Sequence, residues 1–201
     1  MKHKLLDYFS RLSPLSEEEA RAILDSMVVR TFKKGAVLLE QGQVCTECYF
    51  VLEGCVRQYS LVDGVERSNG FFSEEQWVLS LRSFMNKTPA EHFLACAEDT
   101  TLVVGTAQRE SDLYARFPRF ESISRRAMEQ VLAEQQDRLT SYVNDTPEQH
   151  YLRLLETRPD LLQRIPQYQL ASYVGVKPES LSRIRKRLAS RGGRPTPRRN
   201  G

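Results

Sequence analysis

The chain has 201 residues, 40% hydrophobic and 27% charged, the composition of an ordinary soluble protein with room for one good core and a second small one. No apolar run approaches membrane-spanning length, and "MKHKLLDYFSRLS" lacks the long apolar stretch and small-residue cleavage site of a leader, so a membrane span is excluded and a cytoplasmic location expected. The net charge of +3 is uneven: residues 177–201 carry nine Lys or Arg against one Glu, +8, leaving −5 on residues 1–176, which points to a polyanion partner for the C-terminal end.

After a short amphipathic start, Ser16 with Glu19 three residues later reads as a capping box, and Ala20, Ile23, Leu24 and Met27 follow at helical spacing, so a first helix is expected to end near Ser26. From Val28 to about Thr106 the period shortens. Runs rich in Val, Phe, Tyr and Leu alternate with turn signals at Lys34-Gly35, Gln41-Gly42, Glu53-Gly54, Asp63-Gly64 and Asn69-Gly70, the spacing of a compact antiparallel sandwich or barrel. Asp63-Gly64 is the clearest hairpin, because both residues tolerate positive φ. Cys45, Cys48, Cys55 and Cys96 carry two readings. Cys45-Thr-Glu-Cys48 with Cys55 could hold a metal or cycle as a disulfide, whereas the apolar setting of "CYFVLEGCV" suits cysteine as a small core residue.

Beyond Ser111 the pattern is helical. Phe117, Phe120, Ile123, Ala127, Met128, Val131, Gln135, Leu139 and Tyr142 step by threes and fours, predicting one long helix over 111–143. A seam at Ile123, Met128, Val131 and Leu139 suits pairing with a second copy of the chain, and the alternative is a helix folded back on its own sheets. Asn144-Asp145-Thr146-Pro147 ends this element and starts another, which puts the domain boundary there. Residues 1–110 then form a sensor domain with its N-terminal helix and 144–191 a second domain; 192–201 is a basic Gly/Pro/Arg tail without apolar residues to bury, expected to be disordered.

Within "QYQLASYVGVKPESLSRIRKRLAS", Leu170, Val174, Val176, Leu181, Ile184 and Leu188 can close a small core between two helices. Ala171 is small where helices would cross, Gly175 suits a sharp turn, and Pro178 falls in a first helical turn, where its missing N–H costs little. This pattern predicts a helix-turn-helix. The second helix turns Glu179, Ser182, Arg183, Lys186 and Ser190 away from its apolar side, where they can reach base edges. Arg bonds guanine O6 and N7, and Glu accepts from cytosine N4. Lys177, Ser180, Arg185, Arg187 and Arg191 flank that face and suit phosphates.

The order of helix, Gly-punctuated strands with "YFVLEGCVRQYSLVDG", long helix and "QLASYVGVKPESLSRIRKRL" resembles the Crp/Fnr family of bacterial transcription regulators over nearly the whole chain. The resemblance implies an α+β protein: an N-terminal antiparallel β-roll of the cyclic-nucleotide-binding type, a homodimer built on the long helix, and a C-terminal helix-turn-helix on double-stranded DNA, with RNA polymerase as a further partner. Glu179 and Arg183 match the family's base-reading Glu and Arg, while Pro178 replaces a residue that is often Arg. In nucleotide-binding members a Gly-Glu pair takes the ribose and an Arg the cyclic phosphate. Here Glu75-Gln76 stands in the first place and Glu91, His92 and Phe93 lie near the second, so cAMP is not expected. Gln76, Arg82 and His92 are the candidate pocket residues for an unidentified effector, with Trp77, Phe84 and Phe93 as alternative filling. The wing that many members place after the second helix is expected to be absent. No cofactor is assigned, and no metal site beyond the cysteine alternative. An enzyme of the cupin type would need clustered histidines, whereas His3, His92 and His150 are isolated in sequence.

Overall fold

The strand-forming runs assemble into two four-stranded antiparallel sheets in the computed structural model, which describes residues 3–192, with side chains as far as Ser190. One sheet orders β1 (Val28–Phe32), β8 (Thr100–Thr106), β3 (Glu47–Glu53) and β6 (Trp77–Val78); the other orders β2 (Val37–Leu39), β7 (Phe93–Cys96), β4 (Val56–Val62) and β5 (Val65–Phe72). Asp63 (φ 54°) and Gly64 (φ 74°) make the two-residue turn between β4 and β5, closing Val62 onto Val65. Asn69-Gly70 is not a turn. Gly70 lies inside β5, where a Cβ would stand 3.1 Å from the Phe72 ring, so close packing rather than chain reversal accounts for the glycine there.

Strand β3 explains why "YFVL" shows no alternation. Tyr49 and Val51 enter the core between the sheets with Val56, Leu94 and Leu102, while Phe50 and Leu52 enter a second core on the outer face. A strand covered on both faces is apolar at every position. The outer cover comes from α1 (His3–Leu12), α2 (Glu17–Ser26) and the first half of a long helix. A short helix, α3 (Leu81–Asn86), lies within the roll sequence.

The helix expected over 111–143 is two helices, α4 (Ala107–Arg116) and α5 (Arg119–Asn144). Pro118 disfavours helical geometry at Phe117, which stands at φ −137°, ψ 83°. Arg119, the first residue of α5, is a hub. It donates to both carboxylate oxygens of Glu19 (3.0 and 2.8 Å), to Ser13 Oγ (2.6 Å) and to Pro14 O (2.7 Å), and Arg126 reaches Leu12 O at 3.1 Å. Glu19 also closes the capping box on Ser16 anticipated from the spacing. The Ser16 backbone N–H, and then the Arg119 guanidinium, hold this buried carboxyl below the usual glutamate range.

Part of the expected seam lies inward: Ile123 is 1% exposed and belongs to the outer-face core, Val131 is 7% exposed, and Met128 packs against the core between the sheets. Leu139 is 66% exposed, and Leu132, at 47%, lies seven residues earlier on the same stripe.

The chain divides into two compact units after Thr140. The second contains α6 (Pro147–Thr157), α7 (Leu161–Arg164), α8 (Gln167–Val174) and α9 (Pro178–Gly192), with Tyr151, Leu161, Leu170, Val174, Leu181 and Ile184 buried. The Asn144–Pro147 break resolves as a capping box. Thr146 Oγ1 accepts from Gln149 N, Gln149 Oε1 accepts from Thr146 N at 2.8 Å, and Pro147 opens α6. The tail beyond Gly192, expected to be disordered and without a wing, lies outside the described residues. Among the described residues no helix is long and apolar enough to cross a membrane.

We expect Arg119→Ala to destabilise the first unit by about 2–3 kcal/mol, the scale of charged hydrogen bonds lost around a carboxylate left buried, read as a lowered denaturation midpoint. Because the folded pKa of Glu19 is depressed, its contribution is complete above the unfolded value of about 4.3 and is lost as pH falls through the folded value. The stability gap between wild type and Glu19→Gln is therefore widest near neutral pH and narrows below about pH 4.

Candidate nucleic-acid interface

Helices α8 and α9 are joined by Gly175, Val176 and Lys177. Gly175 takes φ 83°, ψ 27°, and its N–H reaches the Ala171 and Ser172 carbonyls while Val176 N donates to Ala171 O at 2.9 Å, a left-handed cap that turns the chain at once. Ala171 is fully buried. Lys177 O then accepts from Ser180 N and Leu181 N at 3.0 and 3.1 Å, starting α9 with Pro178 in its first turn.

On α9, Leu181 and Ile184 are buried and Leu188 half-buried. Glu179, Arg183, Lys186 and Ser190 are exposed and Ser182 is half-buried, so the row expected to face bases lies together on the open side. Of the flanking residues, Lys177 and Arg185 are exposed and Ser180 half-buried; the Arg191 side chain lies outside the described residues. Two features differ from expectation. Among the described residues no ion pair joins Glu179 to Arg183. Arg187 is ion-paired with Glu148, in the first turn of α6. Glu148 carries no motif of its own. Its contact with this helix spans 39 residues of sequence.

The roll segment 73–93 engages its charges internally. Ser73 N donates to Gln76 Oε1 (3.0 Å), Glu75 adopts φ 65° with its carboxylate on Arg11 (2.6 Å), and Gly54 N donates to Glu74 Oε1 (2.9 Å). Arg82 pairs with Glu91 at 2.8 Å, both largely exposed. His92 keeps a buried Nε2 without a hydrogen-bond partner, and burial lowers its pKa. Gln76, Arg82 and His92 thus do not converge. None of them lines the cleft of about 490 Å³ bordered by Asp25, Ser26, Arg109, Asp112 and Arg116. The aromatic fillers separate too: Trp77 packs on Tyr8 and Phe50 of the outer core, Phe84 meets the core between the sheets, and Phe93 stacks on Tyr59 at 4.9 Å. A cation that the sequence pattern did not single out is Arg138 of α5, standing 5.0 Å over the Phe72 ring.

All four cysteines are free thiols, three of them buried. Burial raises Cys45, pushes Cys48 up to about 12 and Cys96 up to about 11. Among the described residues no three His, Cys, Asp or Glu are grouped as a metal site.

With this geometry, residues 29–116 match the family model of the cyclic nucleotide-binding domain. No curated protein sequence matches the chain. Among solved structures, the c-di-GMP-responsive global regulator CLP of Xanthomonas campestris aligns with a TM-score of 0.67 at 19% identity, covering 88% of this chain and 93% of that one. FixK2 of Bradyrhizobium japonicum aligns at 0.67 and 15%, covering 83% and 86%. The catabolite activator protein of Thermus thermophilus aligns at 0.53 and 22%, covering 92% and 90%. These neighbours are Crp/Fnr-type regulators, and at such identities the likeness establishes a fold: an antiparallel cyclic-nucleotide-binding roll followed by helices, α+β overall.

At pH 8, thiols with these raised pKa values carry almost no thiolate. Native protein should leave Cys45 and Cys96 unlabelled by a chromogenic disulfide reagent over minutes, with both reacting once denaturant is added. Rapid native labelling of Cys96, mapped by peptide mass, would contradict its burial.

Proposed function

We propose that this protein is a dimeric, sequence-specific DNA-binding transcription regulator of the Crp/Fnr type whose roll does not serve cAMP. The observation that carries the reading is the α8–α9 pair: a glycine-tightened three-residue turn, a buried Ala171, and a 15-residue second helix presenting Glu179, Ser182, Arg183 and Lys186 on its open side. This arrangement supports reading the pair as a helix-turn-helix whose second helix would enter a major groove. Arg183 suits guanine and Glu179 cytosine, while Lys177, Ser180 and Arg185 suit phosphates. The helix would hold no enzyme site, its partners would be double-stranded DNA, a second copy and RNA polymerase, and its setting the cytoplasm.

Dimerisation is assigned to the exposed stripe of α5 around Leu132 and Leu139, replacing the seam read from spacing alone. Leu132→Glu with Leu139→Glu should convert a sedimenting dimer to a monomer without changing the far-ultraviolet spectrum of the roll. A wild-type monomer at micromolar concentration would rule the assignment out.

The case against cAMP rests on charge. Arg82 is matched by Glu91, and Glu75 by Arg11, so the candidate cation for a cyclic phosphate is already paired, while Lys87 stands over the Phe84 ring at 4.7 Å. Titration calorimetry at millimolar cAMP should give no binding heat. A low-micromolar dissociation constant would show that another cation, such as Arg138, serves.

The test of DNA reading separates two contacts on one helix. Arg183→Ala should weaken the preferred site by about 1–3 kcal/mol and random duplex little, because a bidentate base contact is lost. Arg185→Ala should weaken both alike and flatten the log–log salt slope by about 0.9 per phosphate contact. Fluorescence anisotropy on both duplexes checks this; equal losses everywhere would reduce α9 to an electrostatic anchor.

A further inference from the structure

The cleft of about 490 Å³ lies within the first unit, between the C-terminal end of α2 and one face of α4, and its volume is that of a small-molecule site. Ala22, buried, and Leu113, half-buried, give it an apolar floor. The exposed rim is charged. Asp25 stands on the α2 side and Arg109, Asp112 and Arg116 on the α4 side, where spacings of three and four residues keep them on one face. Arg109 reaches across: its Nη1 donates to Ser26 O at 3.2 Å, next to Asp25 in the chain, and the guanidinium keeps further donors beyond that bond. Asp112 accepts from Gln108 Nε2 at 2.8 Å, and Arg116 stands 5.5 Å from the Phe117 ring. Among the described residues the Asp25 carboxylate has no hydrogen bond or ion pair.

Two carboxylates offset two guanidinium groups here, so a polyanion meets as much repulsion as attraction. What the rim calls for is a cation on Asp25 and, close by, an anion on Arg109. We propose that this cleft binds a small zwitterion, a free α-amino acid with an aliphatic side chain. Its ammonium bonds Asp25, its carboxylate bonds Arg109, and its side chain covers Ala22 and Leu113. Because α2 also carries Glu19, which holds Arg119 at the start of α5, an occupant joining α2 to α4 braces the support from which α5 departs. The assignment stands on the first unit alone and is independent of the DNA-binding reading.

Titration calorimetry and thermal melts of the full chain test it with L-leucine, with L-leucinamide, which lacks the carboxylate, and with isocaproate, which lacks the ammonium. Wild type should bind leucine with a submillimolar dissociation constant and melt at higher temperature in its presence. The other two should bind about tenfold or more weakly, the scale of one charged hydrogen bond lost. Asp25→Asn should erase the preference for leucine over isocaproate, and Arg109→Gln the preference for leucine over leucinamide. Each substitution thus removes the response to one end of the ligand, which a general weakening of the fold does not do. If Arg109→Gln melts early for want of its bond to Ser26, Asp25→Asn and the wild-type probe series still decide. Absence of leucine binding by wild type at millimolar concentration would overturn the proposal. So would equal affinity for all three probes, or leucine binding that neither substitution changes.

Discussion

The contact between Arg119 and the buried Glu19 carboxylate decides how α5 leaves the roll. A guanidinium is planar and presents its donors as a rigid fork, so four hydrogen bonds to acceptors at Ser13, Pro14 and Glu19 fix both the position of the helix start and its rotation about its own axis. With that rotation set, Phe120, Ile123 and Ala127 meet the outer face of β3 and β8 beside Leu5, Tyr8 and Ile23. Leu132 and Leu139 are left on the open side. The N-terminal helices are tied to the roll from the other direction as well, through Lys4 on Leu52 O at 2.8 Å and Arg11 on Glu75. The pair α1–α2 thus bridges the roll and the long helix, and an exposed apolar stripe on α5 is a consequence of where Arg119 sits.

Charge is used in opposite ways in the two units. In the roll segment 73–93, the groups that face expected ligand chemistry are consumed by neighbours. Glu75 even occupies a backbone region uncommon for residues other than glycine, held there by its N–H on Val51 O at 2.9 Å and by Arg11. On α9 the reverse holds: among the described residues Arg183, Arg185 and Lys186 are left open and Arg187 is matched. A partner that is a polyanion fits the second pattern and not the first.

Local chemistry made much of this legible before any coordinates. The Ser16–Glu19 cap, the helix break at Asn144–Pro147, the Asp63-Gly64 hairpin and the Gly175 turn each rest on residues within four positions of one another, and each formed as read. Long-range choices were not legible. Spacing by threes and fours describes a face buried on the roll and a face offered to a second chain equally well, so Ile123, Met128 and Val131 were indistinguishable from Leu139. Pro118 was outweighed by the periodicity around it, although its effect on Phe117 is local. At the candidate interface the open row of α9 followed from helix geometry, whereas the Arg187–Glu148 pair and the placement of Arg138 over Phe72 depend on tertiary contacts with no sequence signature.

The central claim is that two copies of α9 read DNA under a twofold axis. Selection of bound duplexes from a random pool by the full chain, at fixed moderate salt, tests it most directly. The account predicts enrichment of an inverted repeat with half-site centres about one helical turn, roughly 10 base pairs, apart. Recovery of no enriched sequence, or of a single unsymmetrical site bound by one chain, would contradict it.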